Sequence, residues 1–190
     1  MQYLTGDQRD ELSSILATQG MKENKLINAW VAFTIACSTM LTDNGTLAFV
    51  VPAELLQVAY ANDLRKFLVK TFNSIDIVAF NELTFDEIEQ EIILLICRKS
   101  SNNKGLRIIQ TKNVDTLSVL DLESTKFFDF PTGNDKWTKF FTNNESLELF
   151  DKIKEDIRFQ KISDVALINV GITTGNNDFF SIGKEINEKY

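Results

Sequence analysis

The sequence predicts an α/β fold built on an open sheet, and two observations predict it. Short apolar segments, the first of them Leu47 to Pro52, alternate with longer segments whose apolar residues recur at helical spacing. The turn Thr42 to Gly45 joins the strongest helical pattern to that first apolar segment. Because continuous apolar strands fed by helices are typical of parallel sheets, we expect this strand to be buried on both faces. Ligands of such sheets bind beyond the carboxyl ends of the strands, so the loop after Pro52 is a candidate site.

Four segments have the apolar spacing of helices. Thr5 or Asp7 can cap the first of them. The second carries a wide apolar stripe that includes Phe33 and Met40, and it predicts a helix nearly covered by the sheet. The third is amphipathic, and Arg65 is placed on its outward face. The predicted helices are Gly6 to Gln19, Leu26 to Leu41, Asn62 to Phe72 and Asn144 to Asp156.

Further short apolar segments complete the predicted sheet, and polar or aromatic segments separate them. A polar, acidic loop spans Asn81 to Gln90, and an irregular aromatic stretch spans Phe127 to Phe141. Lys161 to Val170 is predicted to be extended. The predicted strands are Thr46 to Val51, Ile75 to Phe80, Glu91 to Arg98 and Leu106 to Gln110.

Composition excludes several kinds of chemistry. The chain has 190 residues, 44% of them hydrophobic, which is enough for one domain or for one domain and part of another. It contains no histidine, which excludes His-based triads and His general bases. Its net charge of −7 argues against a self-contained nucleic-acid surface but leaves a local basic groove open.

The two cysteines and the hydropathy pattern indicate a cytoplasmic location. Cys37 and Cys97 both lie in apolar segments, so each is interpreted as a small buried hydrophobe in a reducing compartment rather than a metal ligand. No apolar run is long enough to span a bilayer, and the first residues lack a secretory signal. We therefore expect no metal site and no membrane partner.

Phe85 is an aromatic residue within the polar loop that precedes a predicted strand. One interpretation is that its ring tucks under its own loop; the other is that it forms a stacking platform for a planar ligand. The neighbouring carboxylates, among them Asp86 and Glu91, are more typical of a solvated loop than of a catalytic pair. These residues alone therefore name no reaction.

An ordered set of short segments extends from Leu26 to Ser100. The segments are Asn28 to Phe33, Asp43 to Pro52, Leu64 to Leu68, Phe85 ahead of Ile92 to Leu95, and Arg98 to Ser100. Their order and spacing resemble the second half of a DNA adenine-N6 methyltransferase of bacterial restriction-modification systems. The most similar enzymes join the methyltransferase to a target-recognition domain, as in the single-chain restriction-methylation type. Gly171 to Phe180 resembles the opening of that recognition domain.

The resemblance implies transfer of a methyl group from S-adenosyl-L-methionine to the N6 amine of an adenine flipped out of double-stranded DNA. In this family an Asn-Pro-Pro-Tyr segment positions the amine, and a glycine-rich acidic segment holds the cofactor. Neither segment occurs here, since Pro52 and Pro131 are the only prolines. We therefore assign no catalytic residue and expect the chain alone to be inactive.

The resemblance transfers a limited set of roles to residues of this chain. Phe85 matches the aromatic that packs against the flipped adenine. Phe33, with Trp30 as the second choice, matches the segment that lines the adenine of the cofactor, although aromatics at helical spacing are also typical of a core. The DNA-proximal loop is expected to include Gly171, Thr173, Gly175 and Asn176.

The implied fold is a partial class I, Rossmann-like methyltransferase sheet with the later strands only, followed by the start of a mixed recognition domain. Its domains are predicted at 1–110 for the second half of the catalytic domain, 111–160 for a connector and 161–190 for the recognition domain. A half-sheet leaves a strand edge uncovered. We expect the strand Leu47 to Val51 to pair with the missing N-terminal half of the catalytic domain, or the chain to self-associate. The alternative is a non-catalytic DNA-specificity or interaction module.

Overall fold

The structure is a computed structural model that describes residues 5–21, 28–82, 90–120, 125–142, 144–169 and 171. The chain divides into two compact units, 1–143 and 144–190. The helices and strands, in chain order, are α1 (Gly6–Thr18), α2 (Ala29–Met40), β1 (Thr46–Pro52), α3 (Asn62–Thr71), β2 (Ser74–Phe80), β3 (Ile92–Arg98), β4 (Gly105–Thr111), α4 (Asn144–Glu155) and α5 (Ile162–Val165).

The four strands form one mixed sheet in the order β1-β3-β2-β4. Strand β3 lies between β1 and β2 and pairs antiparallel with both, while β2 and β4 pair in parallel. The α/β class is confirmed, but the expectation of a parallel sheet around β1 is wrong. The reason is β3, which returns after the acidic loop and inserts beside β1, so that β1, β2 and β4 share one direction and β3 opposes them.

Strand β1 is buried on one face only, which corrects the expectation that both faces are covered. Leu47 and Val51 face the core with 4% and 2% exposure, whereas Val50 is 57% exposed. Thr46 and Ala48, which share the face of Val50, are also exposed. A run of apolar residues shows that a strand is hydrophobic but not that both of its faces are buried. No described element packs on the face of β1 that carries Val50.

Helix α2 is buried on one side rather than nearly all round, and its buried residues are Val31, Ala32, Thr34, Ile35 and Ser38. Phe33 and Met40, predicted to widen the buried stripe, are 63% and 83% exposed. The buried hydroxyl of Ser38 donates to the Thr34 carbonyl at 2.6 Å, which satisfies it inside the helix.

Arg65 on α3 is buried, contrary to its predicted outward position. It is 4% exposed, and its Nη1 donates to the Leu55 carbonyl at 2.9 Å and the Val58 carbonyl at 3.1 Å. Burial lowers the pKa of the guanidinium. The sequence pattern hides this role because a long polar side chain on a helix flank reaches inward to backbone acceptors that only the fold supplies. Arg65 therefore fixes the chain that follows β1, whose short 3-10 turns span Ala53–Leu56 and Ala59–Ala61.

The outer edge of β4 is covered by a single bridge. Leu106 and Phe128 exchange two backbone hydrogen bonds, of 2.9 and 2.7 Å. Gly105 begins β4 with φ +124°, and a Cβ placed there would lie 2.2 Å from the Phe128 carbonyl oxygen. Glycine is required at this position because a side chain is excluded both by the positive φ and by the close backbone of Phe128.

A buried carboxylate ties strands β2, β3 and β4 together. Asp76 on β2 is 1% exposed and accepts from Arg98 on β3 and from Arg107 on β4, the latter at 2.7 Å. The Arg107 guanidinium also stacks on Phe127 at 4.5 Å from the ring centroid. Buried charges are tolerated when they are paired, so this cluster fixes the register of β2, β3 and β4.

Three further expectations can be compared with the structure. The cap of α1 is Thr5, whose hydroxyl accepts from the Gln8 amide while Gln8 returns a bond to the Thr5 amide. The segment predicted to be extended from Lys161 contains α5 instead, since a local turn from Ile162 closes a bond to the Ala166 amide at 2.8 Å. None of the described helices is long and apolar enough to cross a membrane.

Candidate functional site at the carboxyl edge of the sheet

The carboxyl ends of β1, β2 and β4 meet at one edge of the sheet. They end at Pro52, Phe80 and Thr111, and Phe80 pairs with Thr111 across the parallel ladder. A cavity of about 390 Å³ opens at this edge. This is where open α/β sheets bind ligands, and it lies at the loop after Pro52 that the sequence indicated. The lining residues that carry functional groups are Gln57, Phe80, Asn81, Glu82, Glu91, Gln110, Thr138 and Phe141.

The lining chemistry suits a planar polar ligand. Side-chain amides supply both donors and acceptors, the carboxylates supply acceptors, and two phenyl rings supply apolar surface. Glu82 is already engaged, because it accepts from Asn113 Nδ2 at 2.9 Å and pairs with the Lys112 ammonium at 3.4 Å. Both partners follow β4, so these contacts hold the ends of β2 and β4 together beside the cavity.

Phe85, the predicted base-stacking residue, lies outside the described residues. The described residues Glu82 and Glu91, which stand on either side of its segment, both line the cavity. The Glu91 carbonyl also accepts the Ala53 amide at 2.9 Å, which joins the start of β3 to the end of β1. The segment that carries Phe85 therefore leaves and rejoins the described fold at the cavity.

A hydrogen-bonded cluster lies beside the loop after β1. Tyr60 donates its hydroxyl hydrogen to Glu54 Oε2 and accepts from Asn28 Nδ2 at 3.1 Å. Burial, and then the hydrogen bond to Glu54, raise the pKa of Tyr60 to about 12. The cluster joins the start of α2 to the loop after β1 through side chains alone.

The two predicted cofactor-lining residues lie in different surroundings. Trp30 is half-buried, and its ring centroid lies 6.5 Å from that of Tyr60 at an interplanar angle of 60°. Phe33 lines a groove of about 270 Å³ between α1 and α2, with Leu12, Ile15 and Ala36. The structure thus places Trp30 beside the Tyr60 cluster and Phe33 on an open apolar groove.

The predicted DNA-proximal loop is described at one position. Gly171 is exposed. Thr173, Gly175 and Asn176 lie outside the described residues. Their assignment stays a prediction.

Sequence reasoning missed the cluster of Asn28, Glu54 and Tyr60. Asn28 and Tyr60 are 32 positions apart, so no local spacing connects them. The available signal was the proline that ends β1, since Glu54 and Tyr60 follow it in the loop that the sequence indicated as a candidate site. That signal becomes specific only when the helix and the strand pack side by side.

Comparisons with known proteins agree with the resemblance found in the sequence. Residues 134–190 match the family described as the C-terminal domain of the type II methyltransferase M.Eco57I. This match and the relatives described next confirm that the chain resembles methyltransferases of restriction-modification systems.

One relative is the type II methyltransferase M.AccI of Acinetobacter calcoaceticus. It is 24% identical over 188 residues, which cover 92% of this chain and 34% of M.AccI. The chain therefore spans about a third of the length of that relative.

Two solved structures share the fold. DrdV, in a DrdV–DNA complex, superimposes with a TM-score of 0.53 and 16% identity, over 75% of this chain and 16% of its own. A nuclease-deletion mutant of the Type ISP restriction-modification enzyme LlaGI, in complex with a DNA substrate mimic, gives a TM-score of 0.53 and 17% identity. That match covers 73% of this chain and 16% of the LlaGI chain. At this level of identity the likeness concerns the fold.

Proposed function

We propose that this chain is the later part of a DNA methyltransferase of a bacterial restriction-modification system that methylates the N6 amine of adenine. The cavity at the carboxyl edge of the sheet carries the proposal, because the segment containing Phe85 joins the described fold at its two sides. The similarity to M.AccI and to the M.Eco57I C-terminal domain supports the methyltransferase class. The resemblance supports the choice of adenine and a cytoplasmic location.

Phe85 is proposed to stack on the adenine that leaves the duplex. A flipped base is held by stacking on aromatic side chains and by hydrogen bonds to its polar edge. The cavity offers both kinds of contact, with Phe80 and Phe141 among its apolar walls and Asn81 and Gln110 among its amides. The role of this chain is thus to bind and orient the base.

S-adenosyl-L-methionine supplies the methyl group when it is bound. The residues of this chain fit one wall of its site, because Phe33 presents an exposed ring on an apolar groove. The described residues contain no Asn-Pro-Pro-Tyr segment to position the amine, so the chain alone is proposed to be inactive.

The upstream half of the catalytic domain is the proposed partner of β1. The outer edge of this strand pairs with no described strand, and its second face exposes Val50. Such an edge pairs readily with an added strand. Self-association through the same edge is the competing outcome. Sedimentation velocity of the chain at high concentration would then show a dimer.

A chimaera tests the proposed function. In it, this chain replaces the matched third of M.AccI, and methyl transfer from S-adenosyl-L-methionine to plasmid DNA is measured, with the product identified by mass spectrometry. We expect N6-methyladenine. Methylcytosine as the product would exclude adenine as the target, and an inactive chimaera that is folded would reject the proposal.

The role of Phe85 is tested in the same chimaera. Phe85→Ala should lower kcat about tenfold or more, since base-aromatic stacking contributes about 1–3 kcal/mol. Phe85→Tyr, which keeps the stacking ring, is the matched control and should retain activity. Equal activity in all three proteins would show that the ring tucks under its own loop.

The chain alone should not bind S-adenosyl-L-methionine, which calorimetric titration measures directly. Micromolar binding would mean that its own residues assemble the cofactor pocket. Binding of duplex DNA by the chain alone with a steep salt dependence, together with an inactive chimaera, would favour the DNA-specificity module.

A further inference from the structure

The cluster of Asn28, Glu54 and Tyr60 joins segments that are distant in sequence. Asn28 is the residue that precedes α2, Glu54 lies in the first turn after β1, and Tyr60 lies in the second turn. The hydroxyl of Tyr60 both donates to Glu54 and accepts from Asn28 at 3.1 Å. One phenol therefore fixes the start of α2 to the loop at the carboxyl edge.

Asn28 gives up a local role to make this contact. It occupies the N-cap position of α2, where asparagine usually accepts a hydrogen bond from a backbone amide of the first turn. Its side chain makes no such cap bond, and its Nδ2 donates to Tyr60 instead. A side-chain cap is worth about 1 kcal/mol, a stabilisation that α2 does not receive from Asn28, whose side chain contributes the contact with Tyr60.

The first two turns of α2 carry both aromatic residues that are proposed to line the cofactor. Trp30 packs beside the Tyr60 ring, with the centroids 6.5 Å apart. Phe33 follows three residues later on the helix and faces the open groove. Because a helix is rigid over one turn, the contact that holds Asn28 also sets the position of Trp30 and Phe33.

We propose that Tyr60, Glu54 and Asn28 are positioning residues that hold the first turns of α2, and with them the Trp30 and Phe33 rings, in place for the cofactor. This inference rests on the proposed function, because it assigns the α2 aromatics to the cofactor site. The three residues themselves touch neither cofactor nor base; they act through the helix.

The first test measures amide hydrogen exchange in the full chain. Tyr60→Phe removes the hydroxyl while keeping the ring, and it should speed exchange at the first turns of α2 several-fold, leaving β2 and β4 unchanged. Thr39→Val is the matched control, because it removes a side-chain bond to the Ala36 carbonyl at the other end of α2. Unchanged exchange in Tyr60→Phe would overturn the inference.

The second test separates positioning from stability in the M.AccI chimaera. Asn28→Ser restores a good helix cap but cannot reach Tyr60, so the helix should be as stable as before or more so. The inference predicts that Asn28→Ser and Tyr60→Phe each raise the KM for S-adenosyl-L-methionine roughly tenfold, the scale of one lost hydrogen bond. We expect kcat to stay within about twofold, and Thr39→Val to change neither constant.

Glu54→Gln keeps an acceptor oxygen for Tyr60 and should retain most of the cofactor affinity, whereas Glu54→Ala should not. An active chimaera whose KM stays constant across the variants would overturn the inference and leave the proposed function standing. A folded but inactive chimaera would reject the proposed function, and the inference would fall with it.

Discussion

The two edges of the sheet differ in whether another described segment covers them. At one edge, β4 is bridged by Phe128, and β2 beside it is buried along five successive residues. At the other edge, β1 pairs with β3 and with no other described strand, and Val50 on its second face is 57% exposed. Among the described residues, the β4 side has the buried ion pairs of Asp76 and the backbone bridge from Leu106 to Phe128, and we call it the closed side. The β1 side has neither feature, and we call it the open side.

This difference teaches that cover and hydrophobicity are separate properties of a strand. Strand β1 (TLAFVVP) has more apolar residues than β4 (GLRIIQT), yet β4 is the more buried of the two. Exposed apolar edges are normally protected by charge, by bulges or by a covering segment. Here β4 has its covering segment, and β1 is proposed to obtain one from the upstream half of the catalytic domain. Substitutions on the two sides should therefore have unequal effects.

The largest effect is expected where the backbone of Phe128 bridges the edge of β4. Gly105→Ala should destabilise the fold by about 3–4 kcal/mol, because the new Cβ would meet the Phe128 carbonyl and the backbone is held at φ +124°. Gly133 also has a positive φ, +76°, but nothing lies within 4 Å of an added Cβ. Gly133→Ala should thus cost only about 1 kcal/mol. Urea denaturation measures the free energy of unfolding of both variants. Equal losses of stability would show that the close contact with the Phe128 backbone is unimportant.

A slightly smaller effect is expected at the ion pairs of the closed side. Asp76→Asn leaves Arg98 and Arg107 without their carboxylate and should cost about 3 kcal/mol, since the Arg98 side chain is partly exposed. The matched control is Asp151→Asn, which removes the carboxylate of an exposed pair with Lys154 and should cost less than about 0.5 kcal/mol. Similar unfolding midpoints for the two variants would contradict this reading.

Adjacent valines on β1 test the open side directly. Val51→Ala removes a side chain that is 2% exposed and should cost about 2 kcal/mol, whereas Val50→Ala should stay within about 0.5 kcal/mol. Thermal and urea unfolding measure these differences. If Val50→Ala costs as much as Val51→Ala, the second face of β1 is covered after all.

The smallest effect is a pH dependence at the open side. The pKa of Tyr60 rises from 10.0 to about 12 in the folded chain, so its contribution to the free energy of unfolding is present below pH 10. It is lost as the pH rises from 10 towards 12, where the folded phenol also ionises. Urea denaturation at pH 8 and pH 11 should therefore show a steeper loss for the unaltered chain than for Tyr60→Phe. Parallel losses would contradict the assigned contacts of Tyr60.

The elements were largely predictable from sequence, because apolar runs and helical spacing report local hydrophobicity. The four described strands were predicted within one residue at each end, and the helix that begins at Asn144 was predicted one residue too long. The order β1-β3-β2-β4 was not predicted, since nothing in the β3 sequence states which strands it joins.

The polar features of the candidate site were the least predictable. Arg65 was placed outward because amphipathic spacing assigns charges to solvent, yet its acceptors are carbonyls ten and seven residues earlier in the chain. The Asn28–Tyr60 contact depends on how α2 packs beside the loop after β1. Such contacts follow from tertiary geometry, which local patterns do not encode.

The central position of β3 has a consequence for synthesis on the ribosome. Strands β1 and β2 emerge before β3, but each pairs with β3 and they do not pair with each other. Neither strand can form its hydrogen bonds with β3 until residues 92–98 have left the exit tunnel. Until then two apolar strands are exposed together, a state prone to aggregation. We expect ribosome-stalled chains that end before Ile92 to bind chaperones more strongly than chains in which Arg98 has emerged.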